Sequence, residues 1–132
     1  MSENDFTYIA EQNMLKNACG ASCEEIRNAE KLLGVVFASD YRTFLSTVGA
    51  SIGCGHEIVG ICAFSDMSVA PVTQEARNWN PMVPQNWYVI EQAHIDNIVI
   101  WQDETGAVYQ TQPNIAPIKV ASGLLEYMNS NQ

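Results

Sequence analysis

The chain has 132 residues, 47% of them apolar, which suits one globular domain over residues 1–132 and excludes a disordered segment. Its longest apolar run, residues 32–38, falls far short of the roughly 20 residues that a membrane-spanning helix needs. Six basic against fifteen acidic residues leave a net charge of -9, which argues against direct contact with nucleic acid.

The opening stretch, MSENDFTYIA, carries acids where a signal peptide carries bases, so a cytoplasmic location is expected. Residues 4–18 read as a helix with a smeared face. Phe6, Ile9, Ala10 and Met14 share one side, with Tyr8 and Leu15 opposite. NACGAS follows as a loop. Ser22 and Glu25 then have capping-box spacing, which predicts a second helix. Ile26, Ala29, Leu32 and Leu33 form its apolar arc, and Gly34 stands where a left-handed residue ends it. Glu30, at the edge of that arc, is expected to pair with a nearby lysine or arginine. Val35, Val36 and Phe37 form an extended link that can bury.

Ser39 is the expected cap of a third helix, with Asp40 in its first turn. Tyr41, Phe44, Leu45 and Val48 make a tight apolar stripe, and Gly49 closes the helix. Tyr41 reads as a half-buried core tyrosine. Two helices joined by a buried link would form a rigid elbow whose residues all have structural work.

Beyond the elbow the period changes. HEIVGI reads as a strand over residues 56–61, and PVTQEARNW as a short helix after Pro71, capped by Thr73. Pro81 and Pro84 mark a loop. NWYVIEQ, NIVIWQ and AVYQTQ read as strands, the last two joined by a DETG hairpin in which Gly106 takes positive φ. Pro113 and Pro117 break the pattern, and ASGLLEYMNS closes the chain as a helix with Ser122 as cap. Two strands are apolar on both faces, which predicts a sheet covered on both sides by helices and loops or partly by a partner, a homodimer included. The class is α+β: N-terminal helices packed on a mainly antiparallel sheet, with a short C-terminal helix.

Cys19, Cys23, Cys54 and Cys62 lack the paired spacing of a zinc site, although His56 stands two residues after Cys54. They are expected to be small buried hydrophobes, with no metal and no cofactor. GASIGCG is glycine-rich but lacks the lysine of a phosphate loop, and a strand follows it. His94 and Asp96, two residues apart, are the other pair with catalytic residue types. No nucleophile elbow, HExxH or P-loop occurs, so no catalytic residue is assigned. The acids are uneven: between Arg42 and Lys119 the only base is Arg77. Such a surface attracts basic proteins, though acids also serve simply to keep a small domain soluble. The candidate partner-binding residues are Glu57, Asp66, Glu91, Asp96, Asp103 and Glu104, with Trp79 and Trp87 as aromatic anchors. Trp101, inside a strand, reads as core.

IRNAEKLLGVVFASDYRTFLSTVG resembles the opening signature of the SUKH superfamily, which includes fungal cell-wall synthesis regulators and many bacterial immunity proteins. Ile26, Glu30, Leu33, Gly34, Phe37, Asp40, Tyr41, Phe44, Leu45 and Gly49 occupy the signature places. Gly60 and the later strands follow in the order that family members show. Two departures stand out. Ala38 replaces a usual proline, and QAHIDN replaces a Gly-Asp-rich turn. The resemblance implies an α+β fold and a protein-binding module without catalysis. The expected partner is a basic protein, a cognate secreted toxin such as a nuclease. The alternative is a regulatory or scaffolding interaction domain with no toxin, as in the fungal relatives.

Overall fold

The computed structural model describes residues 3–15, 19–53 and 55–129. Helices α1 (Glu3–Gln12), α2 (Cys23–Leu33) and α3 (Ser39–Thr47) come first. Strands β1 (Ser51–Gly53) and β2 (His56–Ile58) follow, then a 3-10 turn at Ser65–Met67 and helix α4 (Val69–Trp79). Strands β3 (Tyr88–Gln92), β4 (Val99–Gln102), β5 (Val108–Gln112) and β6 (Ile115–Ala121) and helix α5 (Leu124–Asn129) complete the chain. The six strands form one antiparallel sheet in sequence order. This is the α+β arrangement of N-terminal helices, antiparallel sheet and short C-terminal helix.

The elbow forms as its chemistry requires. Ser22 Oγ accepts from the Glu25 amide at 3.1 Å, and the Glu25 carboxylate accepts from the Ser22 amide at 2.8 Å. Gly34 ends α2 with φ 70°. In the link, Val35 and Phe37 are buried and Val36 is exposed. Glu30 binds twice: its Oε2 accepts from the Phe37 amide at 2.8 Å and from Arg42 Nη2 at 2.6 Å. Tyr41 is fully buried and donates to the Val59 carbonyl at 2.6 Å. Phe37, Tyr41, Phe44 and Tyr88 pack ring to ring, and Phe6 of α1 joins them through Phe44. Gly60 allows the next chain segment to cross the end of α3, since a Cβ there would lie 1.7 Å from the Gly49 carbonyl oxygen.

Several boundaries depart from the sequence reading. Helix α1 stops at Gln12 because Asn13 turns its amide onto β1, donating to the Ala50 carbonyl and accepting from the Ile52 amide. Met14 is consequently exposed, and residues 16–18 lie outside the described residues. Leu32, expected in the apolar arc, is 67% exposed. Ser39 is not a cap: Ala38 occupies that place without a side-chain bond, and Ser39 is the first residue of α3. Helix α4 starts two residues before Pro71, where the missing N–H costs nothing. Thr73 is not its cap but a buried acceptor for the Val89 amide at 3.0 Å. The amide at the start of α5 is met by Asp40 Oδ2 at 2.8 Å rather than by Ser122. Strand β2 ends at Ile58 instead of residue 61, β1 stands where a glycine-rich loop was read, and β6 runs straight through Pro117.

Register divides the sheet into two faces. Tyr88, Gln102 and Val108 lie on the face toward the elbow, whereas Val89, Trp101 and Tyr109 lie on the other. On that second face Trp87 stacks on Tyr109 with ring centroids 4.1 Å apart. Arg77 of α4 holds the crossing segment by donating to the Gln85 carbonyl at 2.8 Å. Helix and loop therefore cover the apolar strands on both sides, except at β6, where residues 115–120 are all exposed.

Candidate functional site

The structure sorts the candidate residues into two groups. Glu57, Asp66, Asp96, Glu104 and Trp79 are exposed, and Trp79 is 78% exposed. Glu91 and Trp87 are not: each is 8% exposed. Trp87 is turned inward by its stack on Tyr109. Glu91 is turned inward by a bulge between Val89 and Glu91, which moves it to the face that carries Tyr88. Trp101 is fully buried and donates to Thr111 Oγ1 at 2.8 Å. Asp103 is half-buried and committed to the β4–β5 hairpin. Burial pushes its carboxyl upward, but hydrogen bonds from Thr105, Tyr109 and the Thr105 and Ala107 amides outweigh that and hold it below the usual range.

Two concavities flank the β3–β4 loop. The larger, a groove of about 670 Å³, lies between the C-terminal end of α4 and that loop. Ala76, Trp79, Ile95, Ile98 and Pro113 give it apolar walls, and Glu75 and Asp96 supply carboxylates. Trp79 and Asp96 thus meet at one site, joined by Glu75, whereas Asp66 and Glu104 line neither concavity. The loop between them holds His94, Asp96 and Asn97 at φ 62°, 55° and 56°. Aspartate and asparagine tolerate this conformation better than most residues, which is the signal that QAHIDN offered. Its effect is to project Ile95, 61% exposed. Such a surface suits side chains that combine an apolar stem with a positive head.

The second concavity, about 530 Å³, is lined by Met14, Ile52, Glu57, His94 and a cluster that the sequence did not reveal: His56, Glu91 and Tyr127. Strand pairing sets Ile58 opposite Glu91, so His56, two residues before Ile58, shares the Glu91 face. Glu91 Oε2 accepts from the Glu57 amide at 2.7 Å; Oε1 lies 2.9 Å from His56 Nδ1 and accepts from the Tyr127 hydroxyl. A carboxylate only accepts, so Nδ1 carries the ring proton and Nε2 is the atom left toward the cleft. Burial raises the Tyr127 phenol well above its ordinary value, and the bond to Glu91 and its charge add to this. Tyr127 therefore acts as a neutral donor. His94 pairs with Glu57 at 3.5 Å. Cys19 and Cys23 are exposed rather than buried, Cys62 is intermediate, and Cys54 lies outside the described residues. Among the described residues, no three His, Cys, Asp or Glu side chains converge as a metal site. None of the helices is long and apolar enough to cross a membrane among the described residues.

Fold and surface together define an α+β domain built round a helical elbow, with its concave surfaces on either side of the β3–β4 loop. The family model described as SMI1-KNR4 cell-wall (SUKH_5) matches residues 3–116, and the chain belongs to this family of the SUKH superfamily. The superfamily includes immunity proteins and Smi1/Knr4 regulators. No curated protein matches the chain.

Proposed function

We propose that this protein is an immunity protein, a non-catalytic module that neutralises a basic secreted toxin, a nuclease by charge, through direct binding in the cytoplasm. The observation that carries the reading is the groove at Trp79. An exposed tryptophan beside Glu75 and Asp96 gives an aromatic anchor with acidic neighbours. The surrounding segment has one base, Arg77, and its guanidinium is engaged with the Gln85 and Trp87 carbonyls. A nuclease needs a basic surface for phosphates, and an acidic groove competes for that surface with fast, salt-sensitive association.

Co-expression with a secreted toxin sought among the adjacent genes tests this. Cells should survive with the intact protein. Trp79→Ala should weaken binding by about 2 kcal/mol, roughly thirtyfold, and raising salt should weaken it further. Equal killing with and without the protein would overturn the proposal and leave the regulatory role of the fungal relatives as the better account.

A further inference from the structure

The His56 cluster is not needed for the groove at Trp79, and its geometry is not that of ordinary core packing. His56 has only 5% of its side chain exposed, and Glu91 fixes its ring through Nδ1. Nε2 takes no hydrogen bond from the described residues, yet it is not a sealed, unsatisfied atom. His56 lines the cleft, and with Nδ1 held by Glu91, Nε2 is the ring nitrogen left to accept a hydrogen bond. The groups facing it are Glu57 and Glu91 from β2 and β3, His94 from the β3–β4 loop, and the Tyr127 phenol from α5. Lysine and arginine are absent from the lining residues, and Met14 and Ile52 supply apolar surface.

An acceptor nitrogen and the exposed Glu57 carboxylate, which His94 meets at 3.5 Å, line one cleft with an apolar wall, and this matches a long alkyl stem that ends in a cation. An anion would meet Glu57 and find no fixed positive charge. We propose that this cleft receives one lysine or arginine side chain of the basic partner, with His56 Nε2 and Glu57 as acceptors. This rests on the partner being a basic protein. It adds that the complex is governed by proton uptake: once Nε2 is protonated, the acceptor becomes a donor and a positive charge faces the incoming cation.

The test needs no partner. The isotopically labelled chain is titrated by NMR with Nα-acetyl-lysine amide or Nα-acetyl-arginine amide, and in parallel with the uncharged norleucine analogue, acetate and inorganic phosphate. The two cations should shift the Gly53, Gly55 and Ala93 amides and the His56 ring saturably, with about millimolar affinity. Affinity should fall about tenfold once the ring resonances show His56 protonated. His94→Gln should keep that pH effect, and Glu57→Gln, an exposed change that leaves the cluster intact, should weaken binding at high pH. Equal shifts with the norleucine analogue, binding of acetate or phosphate instead, or indifference to His56 protonation would each overturn the assignment. A negative result removes the cleft alone, because the co-expression assay reads the binding function independently.

Discussion

Asp40 joins three parts of the chain that lie far apart in sequence. Its Oδ1 accepts from Gln102 Nε2 at 3.0 Å, and its Oδ2 accepts from the Leu124 amide at 2.8 Å. Gln102 is fully buried, and its Oε1 accepts from Tyr88 at 2.7 Å, while the Tyr88 oxygen accepts from the Ala38 amide at 2.9 Å. Elbow, sheet and C-terminal helix are thus linked by one continuous hydrogen-bond chain. Removing the carboxylate strands one buried N–H of Gln102, whose Nε2 keeps only its bond to the Gly106 carbonyl, and leaves the Leu124 amide unmet. Asp40→Ala should therefore lower stability by about 2–4 kcal/mol, read as a shift of the urea midpoint. A shift of only a few tenths of a kcal/mol would mean that water takes over both bonds. Ala38 is informative here too. The proline usual at this place has no N–H, so the bond to Tyr88 exists only because this chain departs from the pattern.

At the scale of elements, the sheet is finished differently beside β3 and at its β6 edge. Past Val59, whose amide still donates to the Ile90 carbonyl at 2.9 Å, the chain leaves β3 and α4 takes its place, with Thr73 supplying the acceptor for Val89. At the other end β6 is an exposed edge with apolar Ile115, Ile118 and Val120. It is protected from pairing with another strand by Pro117, Lys119 and two irregularities in its register with β5. Replacing both protections, with Pro117→Val and Lys119→Val, should produce concentration-dependent dimers or aggregates by light scattering at concentrations where the parent chain is unaffected. An unchanged mass would show that the bulges suffice.

These elements also mark where sequence reasoning reaches and where it stops. Local chemistry was legible: the Ser22–Glu25 box, the left-handed Gly34, the Phe44 and Leu45 stripe, and the β4–β5 hairpin at Gly106 all depend on neighbours within a few residues. Glu91 was not legible: it was named for its charge alone, and the bulge that turns it inward leaves no mark in the neighbouring residues. Strand β1 was hidden because it is short and is held by Asn13 of a distant segment, and β6 because proline is normally read as a breaker. The candidate site was half visible. Trp79 and Asp96 could be named from their types, but their meeting beside Glu75, and the whole of the His56 cluster, depend on the fold.

For the whole molecule, pH bounds stability from both sides. The folded state holds Asp103 below its unfolded value near 3.8, so its contribution is present above that pH and is lost as pH falls through the folded value. The alkaline side is steeper. Burial, first among the causes, raises the phenols of Tyr41, Tyr88 and Tyr127 well above their ordinary 10.0. These groups ionise in the unfolded chain before they do so in the folded one, so stability is intact below pH 10 and falls as pH rises beyond it. Each differential proton is worth about 1.4 kcal/mol per pH unit, and three together about 4, against a typical domain stability of about 5–15 kcal/mol. The chain should therefore unfold cooperatively one to a few pH units above 10, with phenolate absorbance near 295 nm rising in step with loss of circular dichroism. If absorbance reached the value for all five tyrosines while the dichroism persisted, the phenols of the elbow and the His56 cluster would not be buried as described.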